Sequence, residues 1–240
     1  MNLSATYHSY KPSMVRITIS DRLGDLHMGS AFHIGDGWLV TAAHVITDGT
    51  IVEAVSEHTG DRLEIYKTIL HPDKGTDLAL FHTNLDLSHY IQSTVIHGAP
   101  SGFVQTDHIE IGCILNDTLG DELVMSRVLL MGYPPVPFAN SPLLFAAAGE
   151  INAVLDKYNS KNPHFLISCM GRGGFSGGPV ISEHGFLIGV LVESLVKNGC
   201  SEELGYSSAI TTEPLLWLLS EYSILPGKNS GVVRDFSNIS

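Results

Sequence analysis

A histidine, an aspartate and a serine stand in that order along the 240 residues, each joined to a short apolar run. This order constrains the fold more than any other feature. The serine lies in Gly174-Phe175-Ser176-Gly177-Gly178-Pro179, directly before Val180-Ile181. A serine hydroxyl is a poor nucleophile unless a base takes its proton and donors receive the oxyanion it creates. Flanking glycines let the backbone turn sharply and aim N–H groups at one point, so the segment reads as a nucleophile with its receiving amides built in. Upstream, Trp38-Leu39-Val40-Thr41-Ala42-Ala43-His44-Val45 is a β-prone run that ends in small residues and then a histidine. Between the two, Thr76-Asp77-Leu78-Ala79-Leu80-Phe81 sets an aspartate at the start of an apolar strand. Taken singly, each has a bland reading as a turn, a solvated histidine or a cap.

Chain order separates the unrelated folds that converge on this trio of side chains. With TAAHV around His44, TDLAL around Asp77 and GFSGGP around Ser176, the chain resembles the trypsin-like serine proteases of the chymotrypsin fold, in their bacterial-type branch. Met28-Gly29-Ser30-Ala31-Phe32 followed by Gly37-Trp38-Leu39-Val40 is similar to the strand pair leading into that family's histidine, and Met131-Gly132-Tyr133-Pro134 to its "GYP" strand end. The resemblance runs from residue 14 to residue 220. It implies an all-β fold of two six-stranded antiparallel Greek-key β-barrels with a C-terminal helix. It also implies a triad of Ser176 as nucleophile, His44 as general base and Asp77 as its orienting acid, with the oxyanion received by the amides of Gly174 and Ser176. Asp73, the nearby rival to Asp77, sits in a polar turn with no apolar strand behind it. The same glycines also satisfy the G-x-S-x-G elbow of α/β-hydrolases. That fold needs an acid and then a histidine after the serine. Downstream of Ser176 the only histidine is His184, with no aspartate between, so this reading is rejected.

Composition supports the all-β expectation. The chain is 44% hydrophobic but only 16% charged, with 24 glycines, which suits a turn-rich strand protein with a substantial core. A net charge of −12 and the lack of a Lys/Arg run exclude nucleic acid as the expected partner. Three cysteines, Cys113, Cys169 and Cys200, are too few and too odd for a disulfide framework and are expected as reduced, buried thiols. There is no H-E-x-x-H or C-x-x-C, so neither a metal nor another cofactor is expected. The N-terminus lacks signal-peptide character and no run approaches a membrane span; the expectation is a cytoplasmic protein without a membrane partner.

The chain divides into a polar leader (1–13), an N-terminal barrel carrying His44 and Asp77 (14–105), a C-terminal barrel carrying Ser176 with its helix (106–225), and a flexible tail (226–240). The crossover falls around residues 97–121. Alternation and turn signals predict strands at 15–19, 26–34, 38–41, 51–55, 63–70 and 78–82 in the first barrel. In the second they fall at 123–131, 143–155, 165–169, 179–181, 186–193 and 206–210. Residues 42–47 read as one helical turn, and 133–137, with three prolines, as a loop. A helix is expected from Thr212, capped by Thr211 or Thr212 with Pro214 in its first turn. His33 is given no role.

The chain departs from the family at Phe175. Zymogen-activated relatives carry an aspartate there, which pairs with a freed N-terminal amine; Phe175 cannot, so activation by N-terminal cleavage is not expected. The resemblance sets the pocket walls at Ser168 to Arg172 and Val192 to Ser194, with Met170, Val192, Glu193 and Ser194 as substrate-binding candidates. Met170 and Val192 suggest an apolar floor for a small or medium apolar residue, while Arg172 offers an alternative partner for an acidic one. The leading reading is a serine endopeptidase acting on protein or peptide substrates. The alternatives are a non-proteolytic binding module of the same fold and a signalling or defence domain triggered by an activating partner.

Overall fold

The computed structural model describes residues 2–93, 99–112, 121–157, 160–169, 173–196 and 203–226. Strands β1 (Met14–Ser20), β2 (Leu26–Gly35), β3 (Trp38–Thr41), β4 (Thr50–Ser56), β5 (Ile65–Leu70) and β6 (Ala79–Thr83) form one antiparallel sheet in the order β4-β1-β2-β3-β6-β5. The sheet curls until the segment before β5 reaches β4, through a bridge between Val55 and Arg62 and the Leu63 N–H on the Ala54 carbonyl at 2.8 Å. Strands β7 (Arg127–Gly132), β8 (Phe145–Leu155), β9 (His164–Ile167), β10 (Pro179–Ser182), β11 (Leu187–Val196) and β12 (Glu203–Thr211) close into a full barrel, β10-β11-β12-β9-β8-β7. The expected all-β, two-barrel architecture is the one observed.

Alternation decides how the barrels meet. Successive strand residues point to opposite faces. Along β7, Val128 and Leu130 enter a cluster inside the second barrel with Phe165, Val180 and Leu191. Leu129 and Met131 point the other way, into a larger cluster shared with Phe32, Leu39, Leu80 and Phe81 of the first barrel. One apolar core therefore runs continuously from the first barrel onto the outer face of the second. The hairpin joining β2 to β3 turns at Asp36 and Gly37, with φ of 49° and 74°, the paired positive values of a two-residue hairpin turn.

Short helices complete the fold: α1 (Leu3–Tyr10), α2 (His44–Thr47), α3 (Ser88–Ser93) and α4 (Glu213–Glu221). The segment expected as a polar leader is instead α1, opened by the Asn2 side chain accepting the Ser4 N–H at 3.0 Å. It packs through Ala5, Thr6, Ser9 and Tyr10, all buried. Ser9 Oγ accepts the Val104 N–H, and the Tyr10 hydroxyl donates to the Gly185 carbonyl at 2.6 Å. Half of that buried face is polar, so no apolar periodicity announces it. In α4, Pro214 occupies the first turn as expected, but Thr212 does not cap with its side chain; its hydroxyl donates to the Gly112 carbonyl. Residues 121–123 form a 3₁₀ turn, and β7 begins at Arg127 rather than at Leu123. Of the crossover, 99–112 and residue 121 are described; all of the expected tail beyond Pro226 lies outside the described residues. No helix among the described residues is long and apolar enough to cross a membrane.

Candidate active site

β3 delivers His44. The strand ends at Thr41, the small buried Ala42 follows, and α2 begins at His44 with the Val45 N–H returning to the Ala42 carbonyl. Asp77 enters from the turn before β6. The turn is held by the Thr76 N–H on the Asp73 carbonyl and by the Asn162 side-chain amide, from the second barrel, on Thr76 Oγ1 at 2.8 Å. The two side chains meet at two points. Asp77 Oδ2 lies 2.5 Å from His44 Nδ1, and Asp77 Oδ1 accepts the His44 backbone N–H at 2.8 Å. This grip fixes the ring and puts the proton on Nδ1, leaving Nε2 as the free base. Asp73 is used within its own turn, accepting the Gly75 N–H.

Ser176 comes from the turn before β10 and is half-buried. Its turn is fitted to the first barrel. The Ser176 carbonyl accepts the Ser30 N–H at 2.9 Å, and a Cβ on Gly177 would stand 2.2 Å from the Ser30 carbonyl oxygen and 2.9 Å from the Ala42 nitrogen. The Ser176 turn thus seats against the strand end that carries His44. At Gly174, φ is +96° and a Cβ would meet the Tyr133 carbonyl oxygen at 2.2 Å; conformation and space both require glycine. Among the described residues, the Gly174 and Ser176 amides have no protein acceptor, and Ser176 Oγ makes no hydrogen bond. The contact expected between acid and base, Asp77 to His44, is made, whereas the one expected between His44 and Ser176 is not. Catalytic hydrogen bonds commonly tighten only when substrate binds.

Charge around His44 favours its protonated form. Burial opposes the charge, but the Asp77 hydrogen bond and the carboxylates of Asp77, Asp48 and Glu193 outweigh it, so its pKa lies above the ordinary 6.5. Glu193, a substrate-binding candidate, has a side chain 43% exposed and is paired with Lys157. Behind them His164 is buried, with Nδ1 3.0 Å from Ser208 Oγ and Nε2 without a partner among the described residues. Burial first, then the Lys157 charge, push its pKa down to about 4. Val192 is buried in the core between the barrels. Met170, Arg172 and the side chain of Ser194 lie outside the described residues, as do Cys113 and Cys200. Cys169 is a free thiol, half-buried rather than fully buried. Phe175 is buried inside the second barrel, edge-on to Phe145 at 6.0 Å. His33 donates from Nδ1 to the Asp107 carbonyl and accepts the Gly37 N–H at Nε2, holding the β2–β3 turn. It lines a cavity of about 430 Å³ that none of His44, Asp77 and Ser176 lines.

Sequence reasoning missed Ser30, Tyr133 and Asn162. The one signal for Ser30 was a hydroxyl within the buried stretch Gly29 to Gly35, where only His33 is also polar.

A model of the trypsin-like peptidase domain family matches residues 29–190. A probable periplasmic serine endoprotease, DegP-like, from Bartonella henselae is 38% identical over 79 residues, which is 32% of this chain and 15% of that protein's length. Among solved structures, a protease from M. tuberculosis in its active form superposes with a TM-score of 0.65 at 17% identity, covering 97% of this chain and 90% of that one. A serine endoprotease from Yersinia pestis gives 0.62 at 22% identity (93% and 67% covered), and the HtrA-type protease AlgW with a tripeptide gives 0.62 at 18% (93% and 64% covered). At these identities the structural likeness is one of fold.

Proposed function

The chain belongs to the trypsin-like peptidase domain family, and from that premise we propose that it is a serine endopeptidase cleaving peptide bonds in protein substrates through His44, Asp77 and Ser176. The observation that carries the reading is the two-point grip of Asp77 on His44, beside a nucleophile turn docked on the same strand end. Ser176 Oγ attacks the scissile carbonyl carbon while His44 Nε2 takes its proton. The oxyanion forms against the Gly174 and Ser176 amides. His44 then gives the proton to the departing amine, the C–N bond breaks, and an acyl-enzyme remains. Water attacks the ester with His44 again as base, releasing the acid and restoring Ser176. Asp77 stabilises the imidazolium that forms.

A fluorophosphonate probe tests the reading. Wild type is expected to label, and Ser176→Ala and His44→Ala are not. Labelling that survives both substitutions overturns it. The unmade contact at Ser176 Oγ favours a second reading, in which an activating partner or ligand completes the alignment. Under that reading the folded protein labels only after such a partner or a peptide ligand is added.

A further inference from the structure

The nucleophile turn is tied to the first barrel by a buried chain of polar contacts that the catalytic reading does not use. Ser30, fully buried on β2, donates its hydroxyl to the Gly174 carbonyl at 2.6 Å and accepts the Tyr133 N–H at 3.1 Å. The same Tyr133 N–H reaches the Gly174 carbonyl at 3.2 Å. The Tyr133 ring is buried, and its hydroxyl donates to Glu57 Oε2 at 3.1 Å. Glu57 follows β4, is anchored by its own N–H on the Met14 carbonyl at 2.9 Å, and pairs through Oε1 with Lys11 at 3.5 Å. Lys11 is half-exposed and adds little; from Glu57 inward the chain is sheltered.

These contacts act on one peptide plane. A carbonyl and the amide that follows it share a plane, so holding the Gly174 carbonyl fixes the peptide that joins Gly174 to Phe175. With φ at +96° and the Tyr133 carbonyl against its Cα, Gly174 then has little freedom to turn its own N–H away. In chymotrypsin-like relatives activated by cleavage, an ion pair at the residue before the serine sets this loop; Phe175, buried in the barrel, makes none.

We propose that Tyr133 and Glu57 are positioning residues for the oxyanion site: the Glu57–Tyr133–Ser30 chain holds the Gly174 carbonyl so that the Gly174 N–H faces the reacting carbonyl. The inference rests on the serine endopeptidase reading and adds to it the device that keeps the loop catalytically competent.

The test uses the full chain, with fluorophosphonate labelling and steady-state cleavage of a peptide found by library screening. Tyr133→Phe keeps the ring and removes the contact to Glu57. Its kcat is expected to fall about 10- to 100-fold, short of the roughly 100- to 1000-fold loss on removing a donor outright, with KM changed less than about threefold, since the lost interaction belongs to the transition state. Glu57→Ala should match it, Glu57→Gln should recover part of the loss by restoring an acceptor, and Tyr133→Phe with Glu57→Ala should be no worse than either alone. An unchanged kcat in folded Tyr133→Phe, strictly additive losses, or an effect confined to KM overturns the proposal. Absence of Ser176-dependent labelling in wild type, both alone and after a peptide ligand is added, overturns the endopeptidase reading itself, and is told apart because it precedes any variant.

Discussion

Asp77 works at the scale of single atoms, where the choice between a carboxylate and an amide decides the tautomer of His44. Asp77→Asn preserves shape and the contact to the His44 N–H but offers Nδ1 a different partner; kcat is expected to drop about 10⁴-fold, as in the worked serine-protease case. Pre-steady-state acylation measures it, and a loss under tenfold would contradict the role assigned. The pH profile follows from the same contacts. General-base action needs neutral His44, and its folded pKa is raised, so kcat/KM falls on the acid side with a midpoint above 6.5. Glu193→Gln removes one of the charges that favours the imidazolium, so the acid limb should move to lower pH. A limb that stays put would show that Lys157 already neutralises Glu193 at the base. The candidates His44, Asp77 and Ser176 could be named from the sequence because each carries its flanking pattern with it. Ser30 and Tyr133 were not, because their roles come from a contact between residues 144 and 41 positions apart from Gly174 along the chain, which no local pattern encodes.

At the scale of elements, strands were legible and polar helices were not. β3 and the cores of β1, β2 and β6 follow from alternation, because a half-buried strand must sort its side chains by face. α1 buries Thr6 and Ser9 beside Ala5 and Tyr10, so it carries no apolar stripe to read. α4 was legible from Pro214 and its leucines, but the expected Thr212 cap was spent on Gly112, a tertiary bond that outcompetes the local one. The part of α1 that can be weighed is Tyr10. Its hydroxyl is buried against the Gly185 carbonyl, and burial, followed by the Glu110 charge, pushes its pKa up. Tyr10→Phe strands that carbonyl without its donor, at a cost of about 1–3 kcal/mol. Urea unfolding should show the midpoint falling with the slope unchanged, whereas an unchanged midpoint would mean that α1 does not hold the second barrel.

At the scale of the whole molecule, the two barrels share one apolar core, and two histidines near their junction answer to pH in opposite senses. His44 has a raised folded pKa, so it contributes stability that is fully present below 6.5 and is lost as pH rises through its folded value. His164 has a folded pKa pushed down to about 4, so it stays neutral in the fold while the unfolded chain takes up a proton. Between pH 6.5 and about 4 the unfolded state therefore binds more protons at this site, and stability falls as the solution is acidified. The buried Nε2, without a partner among the described residues, gives this a structural basis, since a proton there would gain a charge with no acceptor to meet it. His164→Gln keeps a polar side chain beside Ser208 and removes the titration. The melting temperature of wild type is expected to drop from pH 7 to pH 4.5 by more than that of His164→Gln, while Ser176→Ala, which removes no titrating group, should track wild type throughout. Parallel profiles for wild type and His164→Gln would place the acid sensitivity elsewhere, in the paired carboxylates of Asp21, Glu53 and Asp107, whose folded pKa values are lowered and whose contributions also fade as pH falls.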